Sequence, residues 1–245
     1  MRALGLTIQA IALDVGVSPS TVRRWLLAGA PEAAEFSHRL TTPCSIDFCD
    51  VRNEINPRAY AYLLGLYLGD GTLARAPRRA NVMRLEISCC DDYPQLLREC
   101  RGAIEAVLPG KPVGVRRAIG CSVVSSYSRH WACLFPQHGP GRKHERRIVL
   151  ADWQRAIALD EYPALLARGL IHSDGCRSIN RVVVRGKTYE YIRYLFANHS
   201  LDIQAIFREA CGRIGVEVRN NSAVSLSVAK RASVETLEEV VGPKR

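Results

Sequence analysis

Two stretches of the chain repeat the same order of hydrophobic and polar positions. Each begins with an apolar run long enough for a helix, residues 59–68 in the first stretch and 164–171 in the second. Alternating apolar and polar positions follow in both, which is the pattern of a strand with one buried face. The clearest alternating apolar positions are Met83, Leu85, Ile87 and Cys89 in the first stretch and Val224, Leu226 and Val228 in the second. The sequence therefore predicts an internal structural repeat.

The patterning predicts an αββαββα order of elements in each stretch. In the first, the expected elements are helix 59–68, two strands within 73–90, helix 92–108, strands 113–117 and 121–127, and a helical closing segment that reaches Trp153. In the second, they are helix 164–171, strands 181–185 and 189–197, helix 201–214, strands 216–219 and 224–228, and helix 234–241. The predicted fold class is α+β, with two pseudo-symmetric repeats preceded by a small all-α segment.

The all-α segment is predicted between Thr7 and Leu26, where apolar residues recur at helical spacing before a turn at Gly16. Ser18 is placed to cap a second helix that has Pro19 at its first position. This arrangement is typical of a helix-turn-helix, with an ordinary helical hairpin as the alternative. The residues expected to face DNA are Ser20, Thr21, Arg23 and Arg24.

Four parts of the chain follow from these elements. The helix-turn-helix segment is assigned to residues 1–40, a linker to 41–57, the first repeat to 58–160 and the second to 161–245. A length of 245 residues is sufficient for one two-lobed domain and a small appendage.

The net charge of +10 is concentrated in the two repeats. Residues 1–60 carry 6 basic and 6 acidic groups, residues 61–160 carry 15 and 9, and residues 161–245 carry 13 and 9. A basic folded body suits a polyanion, although a merely soluble basic protein is the alternative. Nucleic acid is favoured over a membrane, because no apolar run reaches the roughly 18 to 20 residues that a span requires.

The nine cysteines are expected to be reduced thiols that act mostly as small buried hydrophobes. No secretion signal opens the chain, so a cytoplasmic location is expected, with association to the nucleoid when DNA is bound. The cysteine spacings do not form the paired C-x2-C sets of a zinc site. A zinc site that joins Cys44 and Cys49 to His38 or His138 is the minor alternative.

Candidate chemistry lies at the ends of the two helices that open the repeats. The first helix ends LLGLYLGDG at residues 63–71, and the second ends ARGLIHSDG at residues 167–175. In each, small residues lie one helical turn apart and form a small face along the helix. Such faces let two helices approach closely. The four residues predicted to form the helix interface are Gly65, Gly69, Gly169 and Ser173.

Each of these helices ends in an aspartate, Asp70 or Asp174, where the helix dipole disfavours a negative charge by roughly 0.3 to 1 kcal/mol. One Asp-Gly pair alone is a common helix terminus followed by a turn. Two of them at matching positions of a repeat indicate function. A bound divalent metal explains both, because Mg²⁺ prefers carboxylate oxygens and carbonyl oxygens, here those of Gly69 and Ser173.

The two motifs resemble those of the LAGLIDADG homing endonucleases of the monomeric, two-repeat type, and the resemblance covers residues 58–245. It implies that the motif helices form the interface between the repeats and that the two sheets make a saddle over double-stranded DNA. It also implies that Asp70 and Asp174 bind Mg²⁺ or Mn²⁺ and each cleave one strand by phosphodiester hydrolysis. The sequence departs from the motif at Leu68, Arg168 and His172, of which His172 is expected to pack in the helix interface.

Further basic residues are candidates for phosphate contacts because of their charge and strand phase, with solvated side chains as the alternative. They are Arg84, Arg116, Arg117, Arg185, Lys187 and Arg193. The basic loop 139–147 is expected either to touch the DNA backbone or to be an ordinary surface loop.

The leading hypothesis is a metal-dependent, site-specific DNA endonuclease that acts as a monomer. A transcriptional regulator that binds DNA on the same fold without cutting is the first alternative, which loss of either aspartate would favour. Both aspartates are present. An RNA maturase is the second alternative, because the same charged saddle suits RNA. A splicing intein is not expected, since the chain has neither a nucleophilic first residue nor a terminal His-Asn.

Overall fold

The computed structural model describes residues 7–14, 19, 22, 23, 26, 49, 51–77 and 79–242. The chain divides into two compact units, Met1–Ser45 and Ile46–Arg245. In the first unit, helix α1 (Ile8–Asp14) contributes Ile11 to a small apolar cluster with Val22, which lies on a helical turn. This packing fits both a helix-turn-helix and a helical hairpin.

The four residues predicted to face DNA from this first unit are only partly described. Arg23 lies on a helical turn and is exposed, as a residue that meets DNA must be. Ser20, Thr21 and Arg24 lie outside the described residues. The helix-turn-helix assignment therefore stays a prediction.

The second unit contains two αββαββα repeats, which confirms the predicted α+β class. The first repeat follows a short helix α2 (Val51–Glu54) and consists of α3 (Pro57–Asp70), β1 (Gly71–Ala76), β2 (Arg79–Cys90), α4 (Pro94–Val107), β3 (Val113–Ala118), β4 (Cys121–Ser128) and α5 (Trp131–Leu134). A 3₁₀ turn (Lys143–Glu145), helix α6 (Asp152–Arg155) and a π-helical turn (Ala156–Glu161) lead to the second repeat. That repeat consists of α7 (Pro163–Asp174), β5 (Gly175–Val184), β6 (Lys187–Ala197), α8 (Leu201–Arg213), β7 (Arg219–Ser222), β8 (Ser225–Val228) and α9 (Arg231–Val241).

Each repeat builds one four-stranded antiparallel sheet, with strand orders β1-β2-β4-β3 and β5-β6-β8-β7. In the first sheet, the buried residues Leu85 and Ile87 share one face, and Arg84 and Glu86 share the other. In the second, β6 directs its buried aromatic rings to the core in the same way. Each sheet therefore has a core face and an outer face.

Helices α3 and α7 pack against each other through the middle of the unit. The Asn56 side chain caps α3 by accepting a hydrogen bond from the Ala59 amide at 3.1 Å, and Pro57 follows at the first helical position. Every residue from Tyr60 to Leu68 is buried. A helix enclosed on all sides must be apolar all round, which explains the unbroken hydrophobic run at its centre.

Two strand predictions were wrong at their boundaries. A strand was expected at 216–219, but Val216 is 3% exposed and packs in the core after a turn at Gly215, so β7 begins only at Arg219. A strand was also expected at 181–185, but β5 begins already at Gly175 and ends at Val184, before Arg185. That residue lies instead in the two-residue turn of the β5–β6 hairpin, where Arg185 (φ 50°) and Gly186 (φ 77°) both adopt positive φ.

Within the described residues, no helix combines the length and the apolar character that crossing a bilayer demands.

Candidate functional site

Helices α3 and α7 touch through their backbones at Gly65 and Gly169. A Cβ atom on Gly65 would lie 2.6 Å from the carbonyl oxygen of Leu166, and one on Gly169 would lie 2.3 Å from that of Tyr62. Both distances are shorter than van der Waals contact, so no side chain fits at either position. The two glycines therefore set how closely the helices approach.

One turn later, Gly69 faces Ser173 and Asp174. A Cβ atom on Gly69 would lie 2.1 Å from Ser173 Oγ and 3.0 Å from Asp174 Oδ2. The Ser173 hydroxyl donates to a carbonyl of its own helix, that of Gly169, at 3.0 Å. The Asp174 carboxylate consequently lies against the last turn of α3, directly beside the residue that precedes Asp70.

The glycines that follow the two aspartates allow the chain to leave each helix abruptly. A Cβ atom on Gly71 would lie 2.5 Å from Tyr67 Cα, and one on Gly175 would lie 2.7 Å from Ile171 Cα. Strands β1 and β5 therefore start immediately after Asp70 and Asp174. Because the helices run side by side in the same direction, both aspartates are at the same end of the pair.

Lys143 reaches this end from the loop after α5. Its Nζ atom donates to the carbonyl oxygen of Gly69 at 2.7 Å and to that of Tyr67. Burial lowers the pKa of Lys143 from 10.5 to about 8, and the nearby carboxylates of Asp174 and Asp70 partly oppose that change. An ammonium group thus lies within electrostatic reach of both acids.

The loop that carries Lys143 is held in place by Arg146. Its Nη1 atom donates to three consecutive carbonyl oxygens, those of Gly139 at 3.0 Å, Pro140 at 3.2 Å and Gly141 at 2.9 Å. The 3₁₀ turn that starts at Lys143 follows directly. This bonding fixes the loop and so positions the Lys143 side chain.

A cavity of about 400 Å³ opens at this end of the helix pair. It is bounded by the last turn of α3, the start of β1, the loop 138–146 and residues 197–199. Asp174 lines it, and the Asn198 side chain donates to Asp174 Oδ2 at 2.5 Å. The rings of His144 and His199 lie 5.4 Å apart on its wall. The cavity therefore combines an acid with basic groups.

Two of the departures from the motif, Arg168 and His172, belong to a separate network of hydrogen bonds. His172 is 3% exposed, and its Nε2 donates to the carbonyl oxygen of Val241 at 3.2 Å, which leaves Nδ1 to accept from the Tyr62 hydroxyl at 2.8 Å. Arg168 Nη2 lies 2.9 Å from both carboxylate oxygens of Glu99 in α4. Burial raises the pKa of Tyr62, so its hydroxyl keeps its proton. This network joins α3, α4 and α7 and does not line the cavity.

The basic residues proposed for phosphate contact lie in different places in the structure. By strand register, Arg84 and Arg116 lie on the outer face of the first sheet, where both approach Glu86, at 3.1 and 3.8 Å. Arg117 is exposed but belongs to the opposite, helix-covered face. In the second sheet, Lys187 and Arg193 share the outer face, and Arg185 caps the hairpin.

Lys143 and Asn198 are the site residues that sequence reasoning did not single out. Lys143 lies 73 positions after Asp70. It belongs to the basic loop 139–147, for which the sequence leaves open a contact to the DNA backbone or an ordinary surface position. The density of basic residues in that loop was the one available signal. Nothing in the sequence indicates that Asn198 lies beside Asp174.

No family model matches the chain, and no curated protein matches it. Solved structures similar to the chain include mesophilic variants of the homing endonuclease I-DmoI, at 13% identity and a TM-score of 0.48 over 76% of this chain and 97% of that one. I-DmoI in complex with DNA and Mn gives 14% identity and a TM-score of 0.48 over 76% and 98%. A variant of I-SmaMI gives 10% identity and a TM-score of 0.44 over 77% and 84%. These values describe a distant likeness, and no activity follows from them.

Proposed function

We propose that the protein is a metal-dependent endonuclease of double-stranded DNA, with Asp70 and Asp174 as its catalytic acids. The observation that supports this most is the meeting of the two helix ends, which puts both carboxylates within electrostatic reach of one ammonium group, that of Lys143. Two acids at the negative ends of two helices are unfavourable unless a cation accompanies them.

The residues at this end fit a divalent metal. The Gly69 carbonyl oxygen already accepts from a cation, Lys143 Nζ, and both aspartates attract the same charge. Carboxylate and carbonyl oxygens form the hard donor set that Mg²⁺ and Mn²⁺ prefer over soft metals. Asp70 and Asp174, with the carbonyls of Gly69 and Ser173, would therefore hold the metal.

When bound, the metal would supply an activated water and stabilise the leaving oxygen of a phosphodiester. The chain's own residues would orient the substrate. The Lys143 ammonium, held by the loop that Arg146 fixes, can pair with a phosphate oxygen and stabilise its charge. The hydrogen bond from Asn198 fixes the rotamer of Asp174 before DNA arrives.

Binding of the duplex is assigned to the outer faces of the two sheets. On this proposal, Arg116 and four further basic residues on those faces and at the hairpin tip contact the DNA phosphates. The four are Arg84, Arg185, Lys187 and Arg193. The front segment would add affinity through Ser20, Thr21, Arg23 and Arg24 without taking part in the chemistry.

A regulator that binds DNA without cutting it is the second candidate. Lys143 and Asn198 already provide donors to oxygens at the site, so the two motif ends can be stable with no metal present. The two candidates differ in one respect that is easily measured, the metal-dependent breakage of a phosphodiester.

The test replaces each aspartate by its uncharged isostere, Asp70→Asn and Asp174→Asn. Each variant and the wild type are incubated with supercoiled plasmid that carries the host locus, with Mg²⁺ or with a chelator. Each substitution should lower the cleavage rate by at least about 100-fold, the order of effect seen when one key electrostatic group is removed. DNA affinity should be unchanged or slightly raised, because a repulsive charge near the backbone is gone.

Asp92→Asn is the matched control, since Asp92 is exposed and lies outside the residues that line the cavity. Cleavage at the wild-type rate is expected from it. A single active-site variant that nicks the plasmid would assign one strand to each acid. Metal-dependent cutting by both variants would remove the aspartates from the mechanism, and tight binding without cutting by the wild type over several metals would select the regulator.

A further inference from the structure

Two cysteines and a histidine converge outside the cavity, beside the start of the first repeat. Cys49 lies just before α2, and His130 and Cys133 lie at the start of α5 and within it. Cys49 Sγ is 3.4 Å from His130 Nδ1 and 3.1 Å from Cys133 Sγ, and the three atoms all lie within 4.8 Å of one another. Both cysteines are buried, and His130 is half-buried.

Local structure explains why these side chains meet. His130 and Cys133 are three positions apart on one helical turn, a spacing that puts both side chains on the same side. Cys49 then approaches from a part of the chain 81 residues away from His130. Neither buried thiol is in a disulfide.

This set differs from the minor zinc alternative that the sequence suggested. His138 does not join Cys49: its Nδ1 atom lies 3.0 Å from the Phe135 carbonyl oxygen, and the residue lines the cavity. Cys44 and His38 lie outside the described residues. Among the described residues, Cys49 instead has His130 and Cys133 beside it.

We propose that Cys49, His130 and Cys133 bind a zinc ion. Thiolate sulfur and imidazole nitrogen are the ligands that zinc prefers, in contrast to the all-oxygen set at the aspartates. Tetrahedral zinc, with Zn–S of about 2.3 Å and Zn–N of about 2.0 Å, places sulfur and nitrogen about 3.5 Å apart and two sulfurs about 3.8 Å apart. Cys49 Sγ and His130 Nδ1 already have the first spacing. For the second, the two sulfurs, now 3.1 Å apart, must move away from each other by less than about 1 Å.

Two smaller features of the site follow from its ligands. Binding through Nδ1 leaves the imidazole proton on Nε2, so the exposed Arg129 side chain, whose Nε lies 3.4 Å from Nε2, must turn toward solvent. Three protein ligands leave one tetrahedral position for water or another ligand. The ion would tie the segment before α2 to the end of the first sheet, and its binding energy would add to folding.

The test uses the full chain, stripped with a chelator and then titrated with Zn²⁺ or Co²⁺ under reducing conditions. One zinc per chain should remain after dialysis, and Co²⁺ should give the charge-transfer absorption of thiolate ligands. Cys49→Ser, Cys133→Ser and His130→Ala should each weaken zinc binding by more than about 100-fold, beyond the effect of losing an outer-shell partner. Cys211→Ser should leave binding unchanged, since it removes a buried thiol from α8, away from the cluster.

Three results would overturn the proposal. They are the absence of retained zinc in the folded wild type, an equal loss of zinc in Cys211→Ser, and a Co²⁺ spectrum of the wild type without the charge-transfer absorption of thiolate ligands. The Co²⁺ spectrum of the wild type decides the matter even if a variant fails to fold. DNA cleavage is not a readout here, so failure of the nuclease proposal would leave this result unaffected.

Discussion

At the scale of a single residue, Lys143 is subject to two opposing effects. Removal from water disfavours its ammonium form, whereas the carboxylates of Asp174 and Asp70 favour it. Burial has the larger effect, so the pKa is about 8 in the folded protein and near 10.5 when the chain is unfolded. The unfolded chain therefore binds this proton more tightly than the folded one.

That difference predicts a pH-dependent stability. Between about pH 8 and about pH 10.5, the folded protein has released the proton and the unfolded chain still holds it, so the free energy of unfolding should rise with pH. The rise attributable to Lys143 amounts to at most about 3 kcal/mol. The measurement is urea unfolding of the wild type and of Lys143→Met at several pH values in the presence of a chelator. The contribution of Lys143 is the difference in the free energy of unfolding between the two proteins, because tyrosines and cysteines titrate in both and cancel.

Below about pH 8 the difference between the two proteins should be constant, since folded and unfolded chains then carry the same charge at this position. Parallel curves throughout the alkaline window would mean that the ammonium is not buried in solution. In that case the lysine would also be free to leave the Gly69 carbonyl.

At the scale of elements, the closeness of α3 and α7 depends on the absence of side chains. Gly65→Ala would put a Cβ atom 2.6 Å from a backbone oxygen of α7, which cannot move without moving its helix. The free energy of unfolding should fall by roughly 1 to 3 kcal/mol, the usual cost of overpacking. Thermal or urea unfolding is the measurement.

Gly102→Ala is the matched control for that substitution. Gly102 lies in α4, and a Cβ atom there has no neighbour within 4 Å. Alanine should raise stability at this position by about 0.5 to 1 kcal/mol, because glycine is the poorer helix former. If both variants changed stability by the same amount, close helix contact would not be the reason for Gly65.

The order of elements was predictable because the buried positions of each repeat recur at the regular spacing of a helix or a strand. Apolar runs gave α3 and α7, and the alternation in β2 gave its buried face. The small residues of both motifs likewise indicated where two helices could meet. These signals are local, and a single sequence displays them directly.

What the sequence could not give depends on contacts between distant segments. Arg168 departs from the motif in the sequence, and its partner Glu99 is on α4, 69 positions earlier. Lys143 reaches Gly69 from a loop whose path no periodicity reveals. Arg117 was proposed together with Arg116 from charge and strand phase, whereas the register puts the two on opposite faces.

At the scale of the whole molecule, the basic excess matters only where it faces the duplex. Arg116→Ala should weaken DNA binding and lower the slope of log affinity against log salt by about 1, as expected for the loss of one phosphate contact. Arg117→Ala removes the same charge from the neighbouring residue on the other face and should leave the slope unchanged. Gel-shift titrations at several salt concentrations compare the two.

Equal effects of these two substitutions would indicate that net charge, and not a particular sheet face, attracts the DNA. No effect of either would mean that Arg116 contacts no phosphate. Both results are informative because Arg116 and Arg117 are neighbours in β3, carry the same charge and lie on opposite faces of the sheet.

The two repeats have the same order of elements, but their first hairpins differ in length. Among the described residues, ten pairs join β5 to β6 and six join β1 to β2, so the β5–β6 hairpin extends further along the outer face. On the proposed function, a duplex lying across both sheets would be read over a longer stretch by one half of the protein than by the other. The recognised sequence should therefore not be a palindrome, and the protein should bind it in one orientation, which fixes which DNA strand each aspartate meets.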